Sequence, residues 1–562
     1  MRAIFRAAAI AAVLTLGGLS SAWSAGRIIV VNGNLPGIGF NDPTPAAPIG
    51  GNPGTTLGEQ RMNVFQFAAD TWTAVLNPSV DIYVWARFVP LAANVLGSAG
   101  PISVSRAFPG AEYPELWYHE ALANHLRGSD SAPHDPTFLP NAADTANPSD
   151  EISARFSTNF AFYLGFDNNE ESVAGTNDLL VVVLHEMGHG LGFSNLVNEA
   201  DGSQFLGFGD LYSQYTLDVV TNQNWNGMTA TERAASALNL RKVSWTGIHV
   251  KEDVPKVLIP GEPFLRANSP ASLGTFIFGT ASFGAQLTAA GVTGEVVLGD
   301  DGLADPSATN GCTPLVNNVA GKIVLLDRGV CTFAVKVKNA QDAGATAVVV
   351  ADNVAGGPPP GLSGVDPTIV IPSGRVTLAD GNTLKANLAT GLNVTLGLDT
   401  SILAGTDRVK KLMLLATFDP VQLGSSISHF DGVAFRNQLM EPAINPDLTA
   451  SVTPPEDLTT SFFTDIGWYS DADGVPDGSD SCIGSDIRPT VILGRCDSHT
   501  TNTVMTDGCS VSDRLDECTG LRFDRYLACV AKKADDLARK KVITRRNEVS
   551  ILFCAIQTKP HH

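Results

Sequence analysis

Positive charge is scarce in this chain: 37 Lys and Arg stand against 57 Asp and Glu, a formal net charge of −20 at pH 7. A surface of that sign repels phosphate backbones and anionic headgroups, which excludes nucleic acid and leaves proteins, peptides and divalent cations as partners. Long apolar runs are missing too. Beyond the N-terminus no stretch approaches the roughly eighteen apolar residues of a membrane-crossing helix, so no stable membrane insertion is expected. None of the eight cysteines precedes Cys312, so a cysteine nucleophile is not expected in the first half of the chain.

What is present is 562 residues, 44% of them hydrophobic. That length exceeds one ordinary domain and predicts three or four folding units. Residues 1–25 carry Arg2 and Arg6, an apolar run over 7–19, and small residues ending at Ala25. They read as a secretory signal peptide, so the protein is expected outside the cell, or in the periplasm of a Gram-negative host. The cysteines of an exported chain favour disulfides over thiol chemistry.

Residues 179–193 read Leu-Leu-Val-Val-Val-Leu-His-Glu-Met-Gly-His-Gly-Leu-Gly-Phe. The apolar run predicts a buried helix, with Thr176, Asn177 and Asp178 as candidate caps and Gly192 placed to end it at positive φ. His185 and His189 lie one turn apart on one face, so both imidazoles can reach a single tetrahedral zinc ion. Glu186 beside them is the candidate general base, able to take a proton from water that the metal activates.

Around this helix the pattern predicts an α+β unit. Residues 26–60, rich in Gly and Pro, read as an N-terminal arm on the surface. Residues 59–76 read as a helix and 81–88 as a half-buried strand, and 115–126 as a short helix carrying His119 and His125. Residues 152–160 alternate as a strand that, if it is a sheet edge, could bind an extended peptide by main-chain hydrogen bonds.

A third zinc ligand does not follow at once. In the compact pattern a His or Asp stands three residues after the glycine, and here that position is Asn195. Glu199, Asp201, Asp210 and His249 are candidates, because zinc bound by two imidazoles accepts either a carboxylate or another imidazole. A distant one is His429, eleven residues before Met440 in a Leu-Met-Glu-Pro turn. On these motifs the chain resembles the leishmanolysin-type metzincin metalloproteases. The resemblance implies zinc held by His185, His189 and His429, catalysis by Glu186, and Met440 as a hydrophobic floor that is not a ligand.

Between His189 and His429 lie 239 residues. Residues 321–329 and 344–353 read as buried strands flanking a helix over 333–343, a unit able to fold by itself. The Gly-Lys-Ile-Val-Leu-Leu-Asp-Arg-Gly run, the Cys-Thr-Phe and the Ala-Gly-Ala strand resemble a protease-associated (PA) domain. The resemblance implies an α/β-barrel-like module at 261–405, with Cys312 and Cys331 as its disulfide.

Asp471, Asp473, Asp477 and Asp480 resemble one thrombospondin type 3 calcium repeat, which implies Ca²⁺ on carboxylates around Gly474. The remaining residues hold six cysteines, which allow fifteen pairings, and a helical pair at 521–539 and 545–554. The expected order is a signal peptide (1–25), a metzincin-like domain in two parts (26–260 and 406–470) split by the PA-type module, and a small disulfide-rich tail (471–562). The expected function is a secreted zinc endopeptidase acting on proteins or peptides. The rival is a non-catalytic, calcium-dependent adhesion protein on the same scaffold.

Overall fold

The computed structural model describes residues 26–140, 145–303, 307–445, 447–468, 481–482, 485–486, 488, 490–494, 496–519 and 521–558. The expected signal peptide and the expected calcium ligands Asp471, Asp473, Asp477 and Asp480 lie outside the described residues.

A helix at Leu57–Leu76 starts where Thr56 and Glu59 exchange side-chain and backbone hydrogen bonds in a capping box. It buries Phe65 against Phe88 and Phe156 of a four-stranded sheet ordered Ile28–Asn32, Ile82–Val89, Ile152–Ser157, Gly97–Pro101, and its buried Trp72 donates to Leu184 O of the next long helix. The first three strands are parallel and the last is antiparallel. Two expectations change here. The N-terminal segment is a surface arm only in its later part, where 35–38 and 43–45 are exposed: Ile-Ile-Val-Val-Asn at its start is a ladder strand, short and flanked by Gly and Pro, which hid its continuous apolar character. Ile152–Ser157 is paired on both sides, so the edge belongs to Gly97–Pro101, whose small residues carry no alternation to read.

The helix predicted over the His-Glu pair spans Leu179–Leu191, and all of its residues are buried. Asp178 caps it, its Oδ1 accepting from Leu180 N–H at 2.8 Å. Burying its six leading aliphatic side chains contributes about 1.5–3 kcal/mol each. Gly190 lets the helix sit on the sheet: a Cβ there would lie 2.3 Å from Ile152 Cγ2. Gly192, at φ +133°, ends the helix as expected. The short helix that follows the Tyr118–His119 strand starts at Glu120, later than the periodicity suggests, and runs to Arg127.

Beyond Val257 the chain enters an eight-stranded mixed sheet through Pro260–Ser269 and leaves it through Asn393–Leu403. These two strands pair antiparallel, with Pro260 opposite Leu403, so the entry and exit of the insert lie side by side. The end strands, Thr275–Phe276 and Gly279–Thr280, are not paired to each other among the described residues, so the sheet is not a closed barrel. Its strands Ile323–Asp327 and Ala347–Ala351 are parallel and flank the helix Phe333–Asp342, and its two faces bury separate apolar clusters. Cys312 and Cys331 form a disulfide.

After the insert, Trp245 N–H bonds to Met413 O and Leu415 N–H to Val243 O, which brings the returning chain back to the first core. The tail has its own cluster around Val491, Val530 and Ile551, with helices Phe523–Arg539 and Arg545–Gln557. Its pairings are Cys482–Cys509, Cys496–Cys554 and Cys518–Cys529. The whole is a mixed α/β, multidomain, disulfide-bonded chain. Among the described residues no helix is long and apolar enough to cross a membrane.

Candidate metal centre

The fold brings His185, His189 and His429 to one point. Their Nε2 atoms lie 3.1 Å (185–189), 3.2 Å (189–429) and 3.2 Å (185–429) apart, and each residue is 4–7% exposed. Every Nδ1 faces a main-chain carbonyl: His185 faces Leu439 O at 2.7 Å, His189 Phe193 O at 2.7 Å, and His429 Ser425 O at 3.0 Å. A carbonyl only accepts, so each Nδ1 carries the hydrogen and each neutral ring turns its Nε2 lone pair inward.

Three lone pairs converging at this distance repel one another unless a cation sits among them. Ligands about 2.0–2.1 Å from a tetrahedral zinc are about 3.3–3.4 Å apart, so the donor set fits that ion within a few tenths of an ångström. Burial holds the rings neutral, pushing His185 down to about 4 and His189 to about 3, with the neighbouring imidazoles adding to the effect at His189 and His429.

Glu186, 7% exposed, lies under the edge strand. Burial raises its carboxyl to about 8, against the hydrogen bond it accepts from Ala99 N–H. A Cβ on Gly97 would lie 2.7 Å from Glu186 Cγ, so the edge strand approaches this closely only because residue 97 is glycine. Ser157 N–H bonds to Leu96 O and Ile102 N–H to Glu151 O, so Leu96, Ser98, Gly100 and Ile102 face the neighbouring strand. Gly97 and Ala99 therefore turn their main chain outward, on the side of the histidine helix.

Met440 is fully buried. Its turn is pinned from below: Asp457 Oδ2 accepts Leu439 N–H at 2.7 Å, Asp457 Oδ1 accepts Thr459 N–H at 2.7 Å, and Gln438 Oε1 accepts Leu458 N–H at 2.9 Å. The rival ligands are engaged elsewhere. His249 Nδ1 is 3.0 Å from Asp465 Oδ1, Glu199 accepts from Asn195, Asp210 accepts from Ser213 and Leu196, and exposed Asp201 accepts from Ser203. Among the described residues the three histidines are the one group of at least three His, Cys, Asp or Glu whose ligand atoms converge. Asp457 and Gln438 carry no local signal in the sequence, and the edge strand is too poor in side chains to show one.

Residues 292–384 match the family model of the PA domain. The chain is 35% identical over 133 residues to leucine aminopeptidase 2 of Trichophyton rubrum, covering 21% of this chain and 27% of that protein. It is 45% identical over 84 residues to vacuolar-sorting receptor 3 of Arabidopsis thaliana, covering 14% and 13%. The chain thus spans about a quarter of the length of the aminopeptidases it matches. Of solved structures, a zinc aminopeptidase from Bacillus subtilis is 23% identical over 31% of this chain and 38% of its own, with a TM-score of 0.20.

Proposed function

We propose that this chain is an exported zinc metalloendopeptidase of the leishmanolysin-like metzincin type, in two segments (26–260 and 406–470) around a PA-type insert. The observation that carries the reading is the convergence of three inward lone pairs from His185, His189 and His429, each ring fixed by a main-chain carbonyl. Bound there, zinc would supply Lewis acidity toward a peptide carbonyl, acidify water and hold Glu186 ionised.

The residues of the chain do the rest. Glu186 takes the proton of the attacking water and gives it to the leaving amine. The outward main chain of Gly97, with the Ala99 carbonyl, pairs with an extended peptide and lays its scissile bond beside Glu186, which the Ala99 N–H holds. A strand-like mode of this kind holds residues on both sides of the cleaved bond, which favours cutting within a chain. Met440 packs beneath the histidines and touches no substrate.

The aminopeptidase relatives support peptides as the substrate class. A match of 133 residues cannot contain both His189 and His429, which are 240 apart, so it carries no information on how this centre closes. Internally quenched peptides with a blocked amino terminus separate internal cleavage from removal of a terminal residue. Zinc at one per chain, cleavage of the blocked peptide, and loss of that cleavage by orders of magnitude in Glu186→Gln with zinc retained are expected. Undiminished cleavage by Glu186→Gln would refute the assignment, and zinc without cleavage in the wild type would favour the adhesion reading.

A further inference from the structure

Asn195 stands where the compact zinc pattern puts a ligand. It is 9% exposed, and its polar atoms reach across the fold rather than toward the metal point. Its main-chain N–H and one Nδ2 hydrogen both donate to Ser428 Oγ at 3.1 Å, to a residue 233 positions on and adjacent to His429. The other Nδ2 hydrogen goes to Glu199 Oε1 at 2.9 Å, and Oδ1 accepts Val197 N–H at 2.8 Å. The amide is therefore fully used and cannot turn without breaking a buried hydrogen bond.

The segment it grips needs holding. Ile427 has φ +65°, a left-handed conformation that a β-branched residue rarely adopts unless neighbours enforce it. Tyr212 Oη donates to Ile427 O at 2.7 Å, and His429 Nδ1 donates to Ser425 O. Asn195 thus holds the Ser428 hydroxyl and Tyr212 the Ile427 carbonyl just before the third imidazole, Asn195 from the loop after the histidine helix and Tyr212 from the helix Leu211–Tyr215.

Resting on the metal reading above, we infer that Asn195 is a positioning residue: with Ser428 it clasps the distant segment so that His429 closes the metal centre. A position that is a ligand in the compact pattern serves here to hold a ligand that comes from the far side of the insert. The side chain acts on the metal only through Ser428 and His429, as outer partners of metal ligands do.

The full-length protein is stripped of metal and titrated with zinc against a chromophoric chelator, and with cobalt while its visible bands are recorded. Asn195→Ala and Ser428→Ala are each expected to weaken zinc binding about 10- to 100-fold. They should alter the cobalt spectrum in the same way, and the double variant should be no weaker than the worse single one. Ser428→Thr keeps the hydroxyl and should restore both readouts, which also covers the case in which Asn195→Ala does not fold. Wild-type zinc affinity and cobalt bands in Ser428→Ala and Asn195→Ala, with only the thermal midpoint lowered, would overturn the clasp. Failure of the wild type itself to take up zinc would instead remove the metal reading, and the clasp with it.

Discussion

Gly188 and Met440 fit each other at van der Waals range: a Cβ placed on Gly188 would lie 2.8 Å from Met440 Sδ and 3.2 Å from its Cε. The glycine between the two helical histidines is therefore set by the methionine beneath them. Gly188→Ala gains about 1 kcal/mol of helix propensity but forces a buried thioether aside, and overpacking of this kind costs about 1–3 kcal/mol. The expected result is lower stability in denaturant melts and weaker zinc binding. A shorter partner, Met440→Ala, should relieve the clash, so the pair should couple in a double-mutant cycle. Strict additivity would show that the contact does not govern the site.

Asp457 is the second lever on the same floor. Its carboxylate accepts Leu439 N–H, and Leu439 O accepts from His185 Nδ1, so a buried chain of hydrogen bonds runs from residue 457 to a metal-site ring. Asp457→Ala orphans two buried N–H groups, those of Leu439 and Thr459, at about 1–3 kcal/mol each. It is also expected to loosen His185 and weaken zinc about 10- to 100-fold. Asp457→Asn keeps one acceptor and should fall between. Isothermal titration with zinc, beside urea melts of the metal-free protein, reads both effects. Equal zinc affinity in all three proteins would disconnect Asp457 from the ring.

The histidine helix was legible because periodicity, cap and closing glycine agree within fifteen residues, and Leu179–Leu191 follows the expected span. His429 was reached through a short motif, and its approach depends on Pro260 pairing with Leu403, a register that no local pattern encodes. Gly97–Pro101 was missed because its meaning lies in the main chain, and Ile28–Asn32 because its flanks read as loop. Asp457 was invisible for a similar reason: an acid eighteen residues beyond Leu439 acquires its role only when the turn folds over it.

The disulfide Cys312–Cys331 closes a loop of sequence separation 19 within the insert, far in sequence from the histidines. Removing such a constraint costs about 3 kcal/mol. Changing both cysteines to Ser should lower the unfolding transition of the insert and leave zinc affinity as it is. Differential scanning calorimetry with zinc titration checks both. A matching loss of zinc affinity would mean that the insert and the metal centre unfold together.

The pH dependence follows from burial of the rings. His185 and His189 titrate near 4 and 3 in the folded, metal-free protein and near 6.5 when unfolded. Their folded pKa values are depressed, so their contribution is complete above about 6.5 and is lost as pH falls from there toward 4, because only the unfolded chain takes up protons. Each ring costs up to about 1.4 kcal/mol per pH unit in that window. Glu186 has the opposite sign: raised to about 8, its contribution is complete below about 4.5 and is lost as pH rises through 8. A variant with Gln at 185 and 189 keeps Glu186 and removes the two rings. The wild-type-minus-variant stability, from urea melts in chelator between pH 7 and 4.5, should therefore fall steadily on acidification. A difference that stays flat across that range would mean that the imidazoles are solvated, not buried, in the metal-free protein.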